Sequence, residues 1–126
     1  MRIPEHLHYT AEHEWVEQLG GNRIRVGITD YAQDALGDVV FVQLPAVGQA
    51  VGYHGLLAEV ESTKSVAEVY APTTGTVRAV NEELSSHPEL INADPYSGGW
   101  FCELEIDDSA ALTGLLDAEG YRKLTE

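Results

Sequence analysis

Few side chains in this sequence have the type and spacing that chemistry needs, and the one that stands out is an amine. Lysine occurs only twice among 126 residues, at Lys64 and at Lys123 near the C-terminus. Lys64 sits in the polar run Ser62-Thr63-Lys64-Ser65, which separates two segments of alternating character. On one side Leu56, Ala58 and Val60 alternate with Leu57, Glu59 and Glu61. On the other Ala67, Val69 and Ala71 alternate with Val66, Glu68 and Tyr70. Period-2 alternation on both sides of a short polar run predicts a hairpin of two half-buried strands, with Lys64 held out at its tip on a flexible stem. An exposed loop lysine usually serves solubility alone, but in a chain this poor in lysine a dedicated role is the better reading.

The competing chemistries are weak. There is no G-x-S-x-G elbow, and Cys102 alternates with Trp100, Leu104 and Ile106 as a buried strand residue with no histidine partner in view. Glycine-rich stretches lack the strand–loop–helix context or the G-K-[ST] ending of phosphate loops. The histidine cluster His6-x-His8 with His13 has neither helical i, i+4 spacing nor cysteine partners, so no metal site is expected. The acid pairs Glu12/Glu14 and Glu59/Glu61 read as solvated strand faces. A carrier fits one presented amine in such a chain better than a catalyst does.

The elements that must position Lys64 are mostly strands. The first dozen residues read as a leader feeding a strand from Glu14 to Gln18. Leu19-Gly20-Gly21-Asn22 is a turn, and Arg23 to Ile28 returns with Ile24, Val26 and Ile28 inward. Thr29 or Asp30 caps a short helix over Tyr31 to Leu36 that Gly37 closes. Val39 to Leu44 is a strand stopped by Pro45, Thr76 to Val80 another, and Trp100 to Ile106 the last. Between them, residues 81–99 are irregular, with helical turns near Glu82-Glu83-Leu84 and Pro88 to Ile91. Asp108 or Ser109 caps a C-terminal helical region in which Leu112, Leu115, Leu116 and Leu124 share a face, with a restart at Asp117. Many short strands with helices at the margins predict a mainly β sandwich or flattened barrel, one domain over residues 1–126.

Composition bounds the partners. Seven basic against 21 acidic residues give a net charge of −14, which excludes nucleic acid and disfavours anionic membranes. The same shell suits docking onto basic protein surfaces. A single cysteine fits a reducing compartment, no apolar run reaches transmembrane length, and the N-terminal stretch has no signal-peptide core, so a cytoplasmic location is expected.

Val60-Glu61-Ser62-Thr63-Lys64-Ser65-Val66, followed by Tyr70-Ala71-Pro72 and Gly75, resembles the lipoyl-lysine hairpin of the glycine cleavage H-protein family. The hairpin alone also resembles lipoyl domains of 2-oxoacid dehydrogenases, whereas a biotinyl lysine usually lies between methionines. Flanking stretches favour the first family: Glu12-His13-Glu14-Trp15-Val16, Gly27-Ile28-Thr29-Asp30-Tyr31-Ala32-Gln33, Leu36-Gly37-Asp38-Val39, Asp94-Pro95-Tyr96 and Leu115-Leu116-Asp117-Ala118-Glu119.

The resemblance implies a lipoyl/biotinyl-type barrel-sandwich hybrid with short peripheral helices, and lipoic acid joined to Lys64 as an amide. The arm would be roughly 14 Å long, about ten bonds at backbone-like lengths. It implies a non-catalytic carrier that shuttles glycine's aminomethyl group from a pyridoxal-phosphate-dependent glycine decarboxylase to a tetrahydrofolate-dependent aminomethyltransferase. Dihydrolipoamide dehydrogenase would reoxidise it, and lipoylating enzymes would load it. By the same resemblance Glu61 is a lipoylation-recognition position, and Glu14 and Glu68 line the cleft that receives the loaded arm. Glu68 departs from the family, where aspartate is commoner, as do Tyr53-His54 and Gly120. An H-like carrier relaying lipoyl groups to 2-oxoacid dehydrogenases is the alternative, and an unmodified interaction domain a third reading.

Overall fold

The computed structural model describes residues 1–107 and 109–126, without the side chains of residues 109–111. Two antiparallel sheets make up the frame. The larger is built on the hairpin of β2 (Glu14–Gly20) and β3 (Arg23–Ile28), reversed through Gly20 and Gly21, whose φ values of 112° and 56° favour glycine. To it are added β1 (His8–Tyr9), β5 (Ala50–Val51), β8 (Gly75–Val80) and β9 (Cys102–Glu105), in the order β1-β2-β3-β9-β8-β5. The smaller sheet joins β4 (Val39–Gln43), β6 (Leu56–Ser62) and β7 (Val66–Tyr70), with β6 central. The result is mainly β and sandwich-like, as the sequence predicts.

Apolar burial divides into three clusters. Val16, Ile24, Val26, Val77, Cys102 and Leu104 fill the larger sheet's inner side. Ile28, Leu36, Val42, Val60, Val69 and Phe101 pack between the smaller sheet and the helices. Those helices are α1 (Asp30–Leu36), α2 (Glu83–Ser86) and α3 (Leu90–Ala93). Of the two possible caps for α1 the fold uses Thr29, whose hydroxyl accepts from the Ala32 N–H at 3.2 Å, and Gly37 closes the helix at φ 82°.

Four expectations are corrected. The first dozen residues are no leader: Leu7 and Tyr9 are buried, Tyr9 and Leu116 exchange two backbone hydrogen bonds of 2.8 Å, and both residues pack with α4 (Ala118–Thr125) in the third cluster. In β6 a register shift between Leu56 and Ala58 turns Leu57 inward and leaves Leu56 exposed, against the alternation read for that pair. Leu124 is exposed, and α4 instead buries Ala118 and Tyr121. The last strand starts at Cys102 rather than Trp100, whose ring lies under the Arg25 guanidinium at 4.4 Å. Of the two caps expected for the C-terminal region, Asp108 lies outside the described residues and the Ser109 side chain is not described, whereas the restart at Asp117 is present, its carboxylate accepting from the Gly120 N–H at 2.8 Å.

Candidate functional site

The turn that carries Lys64 is closed by its first serine. Ser62 N–H donates to the Ser65 carbonyl at 2.8 Å, while its hydroxyl accepts from the amides of Lys64 and Ser65 at 3.3 and 3.1 Å. Thr63 N–H donates to the Asp38 carbonyl at 3.0 Å, which docks the tip on the link between α1 and β4. Asn92 of α3 pins that link. Its Oδ1 accepts from the Val39 N–H at 2.9 Å, and its Nδ2 donates to the Gly37 carbonyl at 2.8 Å and to Gln33 Oε1 at 3.0 Å. Glycine at 37 also leaves the lysine its path, since a Cβ there would stand 3.3 Å from Lys64 Cε. Lys64 is exposed and, among the described residues, in no ion pair.

Asn92 therefore positions the hairpin tip from a distance in sequence. Asn92→Ala strips three hydrogen bonds from the α1–β4 link and is expected to cost about 2 kcal/mol, since it leaves partly buried groups unpaired. Amide hydrogen exchange at Thr63, whose acceptor is Asp38, should quicken more than exchange in β3. Equal changes at both places would mean general destabilisation.

Beside the hairpin lies a cavity of about 250 Å³, between the end of β7, the face of α1 and the segment before β2. Ile28, Leu36, Ala67 and Val69 give it apolar walls, and Glu12, Glu14 and Glu68 bring carboxylates to it. Three of the acids singled out in the sequence thus converge from two distant segments. Glu14 departs from the solvated strand face expected for the Glu12/Glu14 pair: it is 2% exposed. Its Oε1 accepts from the Thr10 hydroxyl at 2.6 Å and its Oε2 from the Tyr70 N–H at 3.2 Å, so it ties the N-terminal segment to β7. Burial outweighs those two bonds and pushes the carboxyl up to about 7. At neutral pH it is divided between protonated and ionised forms. Glu68 is exposed and accepts from the Tyr70 hydroxyl at 3.2 Å; its charge, and after it this bond, raises that phenol's pKa.

His13 lines the same cavity, at φ 73° with its ring stacked on Tyr31. Its Nδ1 is 2.7 Å from the Tyr121 hydroxyl, which is in turn 2.7 Å from the Thr29 hydroxyl, so α4 braces both the cavity wall and the α1 cap. Desolvation lowers the His13 pKa, and a neutral ring there does not compete for the carboxylates. The histidines do not assemble: His6 lies near Glu17 and His8 in β1. Among the described residues no group of three or more His, Cys, Asp or Glu could hold a metal.

One participant escaped the sequence reading. His54 adopts φ 66°, pairs with Glu12 and stacks on Tyr70 with ring centroids 4.7 Å apart. Its departure from the family pattern was legible, its partners were not. Glu61 stands apart from the cavity, exposed on β6, between Phe41 of β4 and Val66 of β7 in the ladder.

A mainly β sandwich that holds one unpaired amine at a hairpin tip, beside an acid-bearing cavity, has the build of a carrier domain. Residues 7–126 match the family described as Glycine cleavage H-protein. A glycine cleavage system H protein of Mycobacterium bovis (strain BCG / Pasteur 1173P2) is 57% identical over 131 residues, covering 98% of each chain. One of Mycobacterium avium (strain 104) is 58% identical over 129 residues at the same coverage. The crystal structure of a glycine cleavage system H protein from Mycobacterium marinum aligns with a TM-score of 0.88 and 40% identity, over 98% of each chain. The chain belongs to the glycine cleavage H-protein family.

Proposed function

We propose that Lys64 is the attachment point of lipoic acid, held as an amide, and that the chain works by carrying this group rather than by catalysing a reaction. The chain is a lipoyl carrier of the glycine cleavage system. The observation that supports the attachment point best is the unpaired Lys64 amine on a turn fixed by Ser62, Asp38 and Asn92, next to a cavity walled by carboxylates. When bound, the lipoyl group supplies a reducible disulfide that takes glycine's aminomethyl group from the decarboxylase, yields its one-carbon unit to the aminomethyltransferase and returns electrons through dihydrolipoamide dehydrogenase.

The residues fit that group. Apolar Ile28, Leu36 and Val69 suit a run of methylenes, and Glu12, Glu14 and Glu68 suit a cationic amine at its end. Glu14 adapts to the load: burial raises its pKa to about 7, so near neutral pH an approaching cation shifts it toward the ionised form. An arm seated against the apolar walls would fill the cavity and so shelter a labile amine from hydrolysis. Glu61, three residues before Lys64, serves the lipoylating enzyme. Residues 1–126 act as one carrier unit in the cytoplasm; no helix among the described residues is long and apolar enough to cross a membrane.

The test presents chain from a lipoate-supplied host to glycine decarboxylase with glycine and labelled bicarbonate. Label should enter the carboxyl of glycine, and its absence would contradict the reading. Glu14→Gln should then let ammonia escape roughly tenfold faster when tetrahydrofolate is withheld, the loss of one charge-assisted bond of ~1.4 kcal/mol. An unchanged rate would remove Glu14 from the site.

A further inference from the structure

The outer face of the smaller sheet is unusually apolar next to Lys64. A register shift between Val39 and Phe41 breaks the alternation of β4, so two consecutive apolar residues, Val40 and Phe41, both face solvent at 53% and 51% exposure. Phe41 is paired with Glu61 across β4 and β6, and Glu61 with Val66 across β6 and β7, where Val66 is 60% exposed. Phe41, Glu61 and Val66 therefore form one row across three strands, at the end of the sheet that bears the Lys64 turn. Behind Glu61 on the same strand stands Glu59, and neither carboxylate is in an ion pair among the described residues. Clustered exposed apolar side chains with unpaired charge beside them mark a protein-binding surface, and an aromatic residue at the centre is its usual anchor.

We propose that Phe41 and Val66 form the apolar core of the surface on which the lipoylating enzyme seats this chain, with Glu59 and Glu61 meeting basic groups at its rim. This rests on the reading of Lys64 as the lipoyl site. The choice of occupant follows from reach. Enzymes that use the finished arm can work at a distance of roughly 14 Å from the turn. The enzyme that builds the arm meets a bare amine, and it must bring an activated lipoyl carbon within bonding distance of Lys64 Nζ. The new bond joins Nζ to that carbon as the carbon's bond to the adenylate breaks, so that AMP leaves and Nζ gives up a proton. Such an enzyme must touch the turn itself, and the Phe41–Val66 row is the exposed apolar surface of the sheet that adjoins it. A second copy of the chain is disfavoured, because it would set Glu59 and Glu61 against their own counterparts.

The experiment uses the full unmodified chain and a lipoate–protein ligase with ATP and lipoate. Lipoyl addition is followed by intact mass, and ligase binding to the chain is measured by calorimetry without ATP. Phe41→Ser and Val66→Ser should each raise KM and Kd about tenfold or more, while kcat stays within about threefold, as for loss of an interface anchor. Both side chains are exposed, so the variants should keep the wild-type melting temperature. After forced lipoylation to completion, both should support glycine–bicarbonate exchange with the wild-type KM. Unchanged KM and Kd for the ligase would overturn the proposal. A rise in the exchange KM to match would also overturn it, assigning the row to the decarboxylase, as would a wild-type dimer lost in Phe41→Ser. Failure of the wild-type chain itself to gain a lipoyl group would instead defeat the underlying reading of Lys64.

Discussion

Lys64→Arg is expected to abolish carrier function while leaving the fold untouched. Arginine keeps the positive charge and most of the stem, but a guanidinium stays protonated at physiological pH and does not form the amide that holds the arm. The fold has little stake in the amine. Its Nζ is in no ion pair among the described residues, and the turn is held by the Ser62 hydroxyl and by backbone amides that arginine retains. Stability should therefore stay within about 0.5 kcal/mol of wild type, as for most surface substitutions. Glycine–bicarbonate exchange with the partner decarboxylase should fall to background, a loss without a partial rung. Lys123, in the last turn of α4, is the only other lysine; it stands on a helix rather than a hairpin tip and does not line the cavity beside Lys64. Persistent exchange in the variant would place the arm elsewhere.

Gly27→Ala is expected to damage the fold as severely as Lys64→Arg damages the function. Gly27 lies opposite Trp15 in the β2–β3 ladder, and Trp15 is fully buried, its indole N–H donating to the Pro95 carbonyl at 2.9 Å. A Cβ at Gly27 would sit 2.5 Å from Trp15 Cε2. Neither the ring nor two central strands can yield cheaply, so the cost should reach about 3 kcal/mol, the upper end for overpacking. Urea unfolding should show the midpoint fall with little change in slope. Gly52→Ala is the control, because a Cβ there meets nothing within 4 Å and the position has no positive φ. Similar losses at both glycines would show that the clash with Trp15 is not the cause. Trp15 follows Glu14 in β2, so the same clash should disturb the cavity.

Elements with enough residues to show a period were legible in the sequence. The β2–β3 hairpin, α1 between Thr29 and Gly37, and the turn around Lys64 all stand where alternation and turn residues put them. Strands β1 and β5, two residues each, are too short to carry a pattern, so the opening residues looked like a leader. Register shifts at Val39/Phe41 and Leu56/Ala58 hide from alternation because they break it. The acids were legible as residue types and by resemblance, but their environments were not. Glu14 is buried by Thr10 and by the Tyr70 amide 56 residues away, and no strand pattern encodes a partner at that separation. His54 was visible only as a departure, since its positive φ and its pairing with Glu12 depend on the β5–β6 connection.

The distribution of work is economical. The sandwich offers rigid strands, Asn92 and Asp38 fix the tip, and in the function proposed the cavity beside it receives the loaded arm. In the function proposed, Lys64 is an attachment point, neither base nor nucleophile in turnover, and the bond-making falls to the partner enzymes.

All of this depends on what Lys64 carries. Mass spectrometry of the peptide containing Lys64, from chain made in a lipoate-competent host, should show the lipoyl increment on that lysine, with the peptide containing Lys123 unmodified. A bare or biotinylated Lys64, or the increment on Lys123, would contradict it.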